Sequence, residues 1–352
     1  MITSRTTAGH DLGVPRRVLN RRALASDIRR LSKISNARAV LAIGREWGLI
    51  AVSVACAVVS GDPLVWVAAG VVIATRQHAL LILMHDAAHG RLLTSRTLND
   101  TLGDLLLGLP NNVLLRRYRI RHAAHHRHAN DRTQDPDRAT IEGDDQWQFP
   151  RSRVSGITVF LRDLFGLNTA RTARAVVLYA PWPVLVARLQ RSDATPKPAD
   201  APATNAEVVR TAAYVTALML GLYATGGWMV YLALWILPSM TLLPALLRLR
   251  GISEHEGDVG TDEVSVSRHV EAGMVEAFVI SPFHINHHAA HHLFPSVPWY
   301  NLPALHARLL EETAYRERLV TATSYTGPGG VLEELMPSSS EQRPSLSGLT
   351  VR

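Results

Sequence analysis

Apolar residues in this chain gather into long runs instead of the alternating or amphipathic patterns typical of soluble domains. Four of these runs approach the roughly 20 residues that a helix needs to cross a bilayer. They lie at about 39–60, 64–84, 208–224 and 228–247. Very short links join the first run to the second and the third to the fourth, so the pattern predicts four transmembrane helices in two hairpins.

The rest of the chain is less apolar and predicts smaller elements. Two broken apolar stretches, 102–115 and 176–186, indicate helices that lie in the membrane interface. The stretch 191–206 is rich in Pro, Ala, Asp and Thr, a composition typical of a linker. We therefore divide the chain into a basic arm at 1–38, a membrane domain at 39–324 and a disordered tail at 325–352.

Composition supports a membrane protein. Hydrophobic residues make up 47% of the chain and charged residues 19%, and the formal net charge is +7. Arginine supplies nearly all of the positive charge and clusters beside the apolar runs, where it would face anionic lipid head groups. The sequence contains no recognisable nucleic-acid-binding module, so we expect a lipid bilayer and not a nucleic acid as its partner.

The positions of the basic residues predict the topology. Both hairpin links lack Lys and Arg, whereas the N-terminal arm, the segment 116–127 and the exit from the fourth run at Arg248 and Arg250 are basic. The positive-inside tendency then places both termini and everything between the hairpins in the cytoplasm. The expected fold is an all-α, multi-pass integral membrane protein with a cytoplasmic helical cap.

The sequence is unusually rich in histidine, a residue that can bind metal. Cys56 is the single cysteine, which excludes a disulfide framework and a thiolate metal site, so any metal must be held by histidine or carboxylate. The chain has 16 histidines, of which 11 lie in three short clusters. In the first cluster, His85 and His89 follow the second apolar run at a spacing that places both on one helix face, where they can chelate one metal ion.

The second and third clusters repeat this spacing. The second consists of His122, His125 and His126, and His128 follows it closely and completes the 11. The third contains the same spacing twice in overlapping registers, and its histidines are His284, His287, His288, His291 and His292. We prefer the register that begins at His288 to the one that begins at His284. The preceding Ser281-Pro282 pair predicts the start of the helix.

The three clusters occur as His85-Asp-Ala-Ala-His89, His122-Ala-Ala-His125-His126 and Asn286-His-His-Ala-Ala-His-His-Leu-Phe-Pro295. They resemble the three histidine boxes of membrane fatty-acid desaturases, and the resemblance extends over roughly 76–309. Front-end members of that family carry Gln where this chain has His288, so the resemblance is to the other members.

The resemblance implies an O2-dependent centre of two iron ions held by nine histidines, with no catalytic residue beyond the metal centre. The family uses one histidine between the last crossing and the third box, and His255 occupies that place. The implied ligands are His85, His89, His122, His125, His126, His255, His288, His291 and His292. Gly251 departs from the pattern, because some members have a water-binding asparagine one turn before the extra histidine.

Other polar residues near the boxes are expected to support the ligands or to be ordinary core residues. Those suited to orient a ligand or to lie just outside the ligand set are Asp86, His128, Glu254, His284 and His287. Asp135 and Asp137 suit either this role or loop hydrogen bonds. His10, His269 and His306 are expected to be ordinary core histidines. His78, inside the second run, is expected to support the structure or to lie near the substrate.

Three functions compete at this point. The first is a fatty acyl desaturase, the second is a hydroxylase or ketolase acting on a carotenoid, sterol or alkane, and the third is a metal-binding or transport protein. A transporter needs polar groups at the bilayer midplane, which the apolar runs nearly lack. The resemblance around 293–303 favours an acyl desaturase over a carotenoid ketolase. A separate electron donor of the ferredoxin, rubredoxin or cytochrome b5 type is expected, because no such fused domain or cysteine cluster is recognisable.

Overall fold

The computed structural model describes residues 16–177 and 204–337, and within them the chain is mostly helical. Four helices are long and apolar enough to cross a membrane: Asn36–Ser60, Pro63–Ala88, Asn205–Thr225 and Trp228–His255. They coincide with the four predicted apolar runs, which confirms the helical class of the fold.

The residues that the structure describes form 17 α-helices. They are α1 (Ala25–Leu31), α2 (Asn36–Ser60), α3 (Pro63–Ala88), α4 (Arg96–Leu102), α5 (Leu115–His128), α6 (Pro136–Ile141), α7 (Arg153–Leu164), α8 (Thr169–Val177), α9 (Asn205–Thr225), α10 (Trp228–Tyr231), α11 (Leu237–Met240), α12 (Leu242–His255), α13 (Met274–Val279), α14 (His288–Leu293), α15 (Leu302–Leu309), α16 (Thr313–Arg318) and α17 (Val331–Leu335).

Two residues separate α2 from α3, and the two helices pack along each other. Gly61 ends α2 in the left-handed region at φ 62°, a conformation that glycine adopts without a side-chain clash. Asp62 then caps α3, since its Oδ1 accepts the backbone N–H of Leu64 at 2.7 Å, and Pro63 occupies the first helical position. The link therefore stops one helix and starts the next within a few residues.

A buried ion pair fixes α3 against its neighbours. Arg76 is completely buried, and its Nη1 lies 2.9 Å from Oε2 of Glu46 on α2. The same guanidinium donates to the carbonyl of Phe278 on α13 and lies 3.7 Å from the centre of the Phe278 ring. Removing one partner would leave an uncompensated charge in an apolar environment, so the pair specifies this packing.

The fourth long helix is broken, and it extends further than the hydropathy pattern predicts. A π-helical stretch at Leu232–Ile236 separates α10 from α11, and Thr241 at φ −124° separates α11 from α12. The prediction ended this crossing at residue 247, but α12 continues to His255. In the same way α3 continues to Ala88, beyond the predicted end at residue 84. Polar residues at the helix ends, including the predicted ligands, lowered the local hydropathy without ending the helices.

The shorter predicted stretches have different outcomes. The stretch 102–115 is helical as far as Asn111, through a π-helical stretch at Gly103–Gly108 and a single 3-10 turn, and its Leu107 is buried in the core around α3. The stretch 176–186 lies outside the described residues except for the end of α8. The linker at 191–206 also lies outside them until Thr204, where α9 begins with a capping box to Glu207.

Both ends of the described chain are packed. Leu24 and Leu31 of the N-terminal arm pack against Leu293 and Leu305, close to the third histidine cluster. Beyond residue 324, where the sequence predicted a disordered tail, Val331 and its neighbours in α17 pack against α12. The predicted start of that tail is therefore too early, because the Gly- and Pro-rich stretch at 327–330 makes a compact turn instead of a disordered segment. Residues 338–352 lie outside the described residues.

A small parallel sheet was not predicted. Its strands are β1 (Arg268–Val270) and β2 (Val320–Ala322), and His269 is paired with Thr321. Three-residue strands lack the alternating pattern that identifies a strand in a sequence. The sheet lies beside α12 and α14 and so borders the histidine clusters.

Candidate metal centre

Four helices bring all nine predicted ligands together. His85 lies in the last turn of α3 and His89 caps that helix. The second cluster lies on α5, His255 ends α12, and the third cluster lies on α14. These histidines span the sequence from His85 to His292, so only the tertiary fold can assemble them.

The nine histidines form two groups, each with one ring nitrogen per residue within 4.8 Å of those of its other members. The first group is His85, His89, His122, His126 and His291, and the second is His125, His255, His288 and His292. Each four-residue spacing within a cluster serves one group. In α5 and α14 the histidine three residues after the first belongs to the other group, so His125 lies in the second group and His291 in the first. The neighbours His125 and His126 therefore face different groups, as do His291 and His292.

The ring nitrogens are placed as metal ligands would be. The Nε2 atoms of His122 and His126 are 2.9 Å apart, and those of His255 and His288 are 3.0 Å apart. Bonds from zinc to imidazole nitrogen are about 2.0–2.1 Å long, so two donors at right angles around such an ion lie about 3 Å apart. Unprotonated nitrogens this close repel each other unless a cation lies between them. The residues therefore fit two transition-metal ions.

Burial keeps these imidazoles in the form that binds metal. Removal from water is the main cause that lowers the pKa of several of these histidines well below the usual value, and neighbouring histidines add to the effect. They are His122, His126, His288, His291 and His292. A neutral imidazole offers a nitrogen lone pair, whereas a protonated one does not. Nine imidazoles in two adjacent groups form a donor set suited to iron and other transition metals.

His125 has a charged partner on its second nitrogen. Its Nδ1 lies 2.9 Å from Oδ2 of Asp135, which leaves Nε2 to face the second group. Burial alone would lower the pKa of His125, but Asp135 and the more distant Asp137 raise it above the usual value. Asp135 is held in turn by the backbone N–H groups of Asn130 and Asp137, at 3.0 and 2.9 Å. This is the carboxylate–histidine arrangement that fixes the tautomer of a metal ligand.

The other predicted supporting residues occupy different positions. Glu254 Oε1 lies 3.5 Å from Nδ1 of His288 and accepts a hydrogen bond from Arg250 at 2.6 Å. Asp86 accepts the backbone N–H of Trp299 at 2.9 Å, whereas its distance to Nδ1 of His85 is 3.8 Å. Asp86 therefore ties α3 to the segment after the third box instead of hydrogen-bonding to His85.

Three predicted supporting histidines lie outside both groups. His128 is half-buried at the end of α5. His284 is exposed, with φ 58°, and its ring stacks on that of Trp299. His287 lies with His269 and His306, which were expected to be ordinary core histidines. No signal in the sequence joins these three, because none of their spacings corresponds to one helix face.

The expected helix start at Ser281-Pro282 is wrong. Pro282–His284 forms a single 3-10 turn, and Phe283 and His284 both have a positive φ, near 60°. Left-handed residues interrupt a helix, so α14 begins at His288. The helix therefore contains the register His288, His291 and His292 and not the one that begins at His284.

The glycine that departs from the family pattern has a local explanation. A Cβ at Gly251 would lie 3.3 Å from a ring carbon of Trp147. The Trp147 ring is fixed in turn by the guanidinium of Arg248, 4.4 Å from the ring centre. A larger side chain at this position would have to displace that ring, so an aromatic residue occupies the space beside α12.

A cavity of about 1290 Å³ lies next to the histidine groups. Its apolar wall comes from α3, α9 and the broken fourth helix and includes Leu81, Met84, Leu218, Trp235 and Leu243. Tyr118 also lines it, and the Tyr118 ring stacks on His122 with centres 5.0 Å apart. Another part of the cavity lining is charged and includes Asp144, Arg171 and Arg248. The cavity thus combines an apolar chamber with a charged region.

Comparisons with known proteins agree with this geometry. A sequence model described as fatty acid desaturase matches residues 62–324. The chain is also similar to dihydrorhizobitoxine desaturase from Bradyrhizobium elkanii, with 23% identity over 244 residues, which is 68% of this chain and 66% of that protein. The chain thus spans just under two thirds of the length of this relative. The extent of the family match confirms the resemblance of the histidine boxes, and the chain belongs to the fatty acid desaturase family.

Proposed function

We propose that this membrane oxidoreductase is a di-iron desaturase that introduces a double bond into a fatty acyl chain. The observation that carries the proposal is the division of nine histidines into two adjacent groups beside a large apolar cavity. The name of the Bradyrhizobium relative also supports desaturation as the reaction. The acyl substrate is inferred from the apolar cavity and not from that name.

The residues of the chain would hold and orient the reacting partners. Two iron ions held by the two histidine groups would supply O2 activation and the removal of hydrogen from an unactivated C–H bond. The apolar wall of the cavity would bind an acyl chain and exclude water from its methylene groups. Tyr118 lies between the cavity and His122 and would limit how far the chain extends toward the metal centre.

The overall reaction needs two electrons from outside the chain. Removal of two hydrogens from neighbouring carbons and reduction of one O2 to two water molecules consume two further electrons and two protons. We propose a separate electron donor of the ferredoxin, rubredoxin or cytochrome b5 type. Docking at the basic cytoplasmic face follows from the proposed topology, in which both termini lie in the cytoplasm.

Product analysis in an expressing host tests the proposal. Lipids from cells with the wild-type chain should contain a new alkene, and replacement of both His125 and His126 by Ala should remove it, because each histidine group then loses a ligand. Ala123→Ser is the matched control, since Ala123 is an exposed residue on the same helix. A new alcohol or ketone in place of the alkene would assign the chain to the hydroxylases or ketolases. Unchanged alkene in the double variant would contradict the histidine assignment.

A further inference from the structure

A third histidine group lies outside the nine candidate iron ligands. It consists of His269 on β1, His287 just before α14 and His306 on α15. One ring nitrogen of each residue lies within 4.8 Å of those of the other two. The ring centres are 4.1–5.0 Å apart. The three residues thus converge as closely as the members of the two larger groups.

Backbone and side-chain contacts hold each histidine in place. The Asn286 side chain donates to the carbonyl of Val270 at 2.9 Å, and the Val270 N–H donates to the carbonyl of Asn286 at 3.1 Å. These two bonds fix β1 beside the residue that precedes His287. Nδ1 of His306 lies 2.9 Å from the hydroxyl of Tyr315, which is completely buried. If Nδ1–H donates to that oxygen, the Nε2 lone pair of His306 is free to bind a ligand.

Two ring nitrogens in this group are buried and lack an ordinary partner. Among the described residues, Nδ1 of His269 and Nδ1 of His287 have no hydrogen-bond partner. Buried polar atoms normally have one, so such atoms indicate a missing ion or water. Burial also lowers the pKa of His269 to about 4, which keeps this imidazole neutral and able to bind metal.

We propose that His269, His287 and His306 form a separate mononuclear site for a divalent transition metal of the zinc class. Imidazole nitrogen is a common zinc ligand, and three imidazoles leave one tetrahedral position for water or another oxygen donor. The ligands come from a strand, a loop and a helix, so the ion would fasten β1 and α15 to the segment that leads into α14. His287 directly precedes His288, so the ion would stabilise the third histidine box without belonging to the iron centre.

A zinc-binding measurement on the iron-loaded protein tests the site. Purified protein is equilibrated with a small excess of zinc chloride and desalted, and zinc and iron are counted in the same sample. The wild type should retain about one zinc per chain with its iron unchanged, as one mononuclear site requires. His269→Gln and His306→Gln should each weaken zinc binding at least about tenfold and keep their iron. His284→Gln is the matched control, because His284 is a nearby exposed histidine outside the group.

Three outcomes would overturn the proposal. In the first, the wild type retains no zinc. In the second, His269→Gln, His306→Gln and the control His284→Gln retain zinc equally. In the third, zinc uptake is matched by loss of iron, which would mean that zinc entered the larger centre. If the variants aggregate, X-ray absorption at the zinc edge of the wild type decides: scattering from three imidazoles supports the site, and scattering from fewer than three excludes it. None of these measurements needs turnover, so failure of this site and failure of desaturation are distinguishable.

Discussion

Neighbouring residues in the histidine boxes have different environments. His126 faces the first group and has no charged partner among its described hydrogen bonds, whereas His125 faces the second group and has Asp135 on its Nδ1. The carboxylate fixes the ring orientation and increases the electron density at the nitrogen that faces the second group. Metal binding by the second group should therefore depend on Asp135, which is not a member of that group.

Replacing Asp135 by Asn tests this dependence. Asp135→Asn keeps the size of the side chain but removes its charge, so iron affinity or product formation should fall by about 10–100-fold. Asp137→Asn is the matched control, because Asp137 is more exposed and lies 3.9 Å from the same nitrogen. Iron content and product per milligram of monodisperse protein are the measurements. Equal losses in both variants would show that general negative charge, and not the hydrogen bond, is what matters.

At this scale the sequence predicted which nine histidines lie together but not how they divide into two groups. Helical spacing predicted that His122 and His126 share one ion, and both lie in the first group. It could not assign His255 or His291 to a group, because that depends on how α12 and α14 face α5. The contact of His269 with His306 was not predictable for the same reason, since the two residues lie on a strand and a helix that meet only in the folded chain.

At the scale of elements, hydropathy predicted where the long helices begin better than where they end. Both α3 and α12 continue past their apolar runs because histidines and other polar residues replace apolar ones there without breaking the backbone hydrogen bonds. The breaks within the fourth helix depend on local backbone geometry at Thr241 and at the π-helical stretch Leu232–Ile236. The parallel pairing of β1 and β2 joins segments about 50 residues apart, which local patterns do not show.

The start of α14 predicts which third-box histidines matter. His291→Ala and His292→Ala should each reduce product by more than about 100-fold, because each removes a member of a different histidine group. His284→Ala should reduce it less than about tenfold, since this exposed side chain lies outside both groups. Product yield is compared at equal amounts of monodisperse protein. A ranking in which His284→Ala is the most damaging would mean that the register begins at His284.

At the scale of the whole molecule, the shared site constrains the topology. The nine histidines of the two groups come from the ends of two long helices, from α5 between them and from α14 after them. Helix ends that contribute to one centre must lie on one side of the bilayer. The basic segments at 116–127 and at Arg248 lie on that same side, where the positive-inside tendency predicts the cytoplasm.

Cysteine accessibility in intact cells tests this arrangement, with the native Cys56 first replaced by Ser. Exposed positions at the two hairpin links are Ser60 and Thr225, and exposed positions near the histidine groups are Arg132 and Asp258. A membrane-impermeant maleimide should label Ser60→Cys and Thr225→Cys from outside, and should label Arg132→Cys and Asp258→Cys only after the membrane is opened. Labelling of all four after detergent treatment is the control for reactivity. If cysteines at 132 and 258 reacted from opposite sides, α5 and the end of α12 could not share a metal centre, and the desaturase proposal would fail with it.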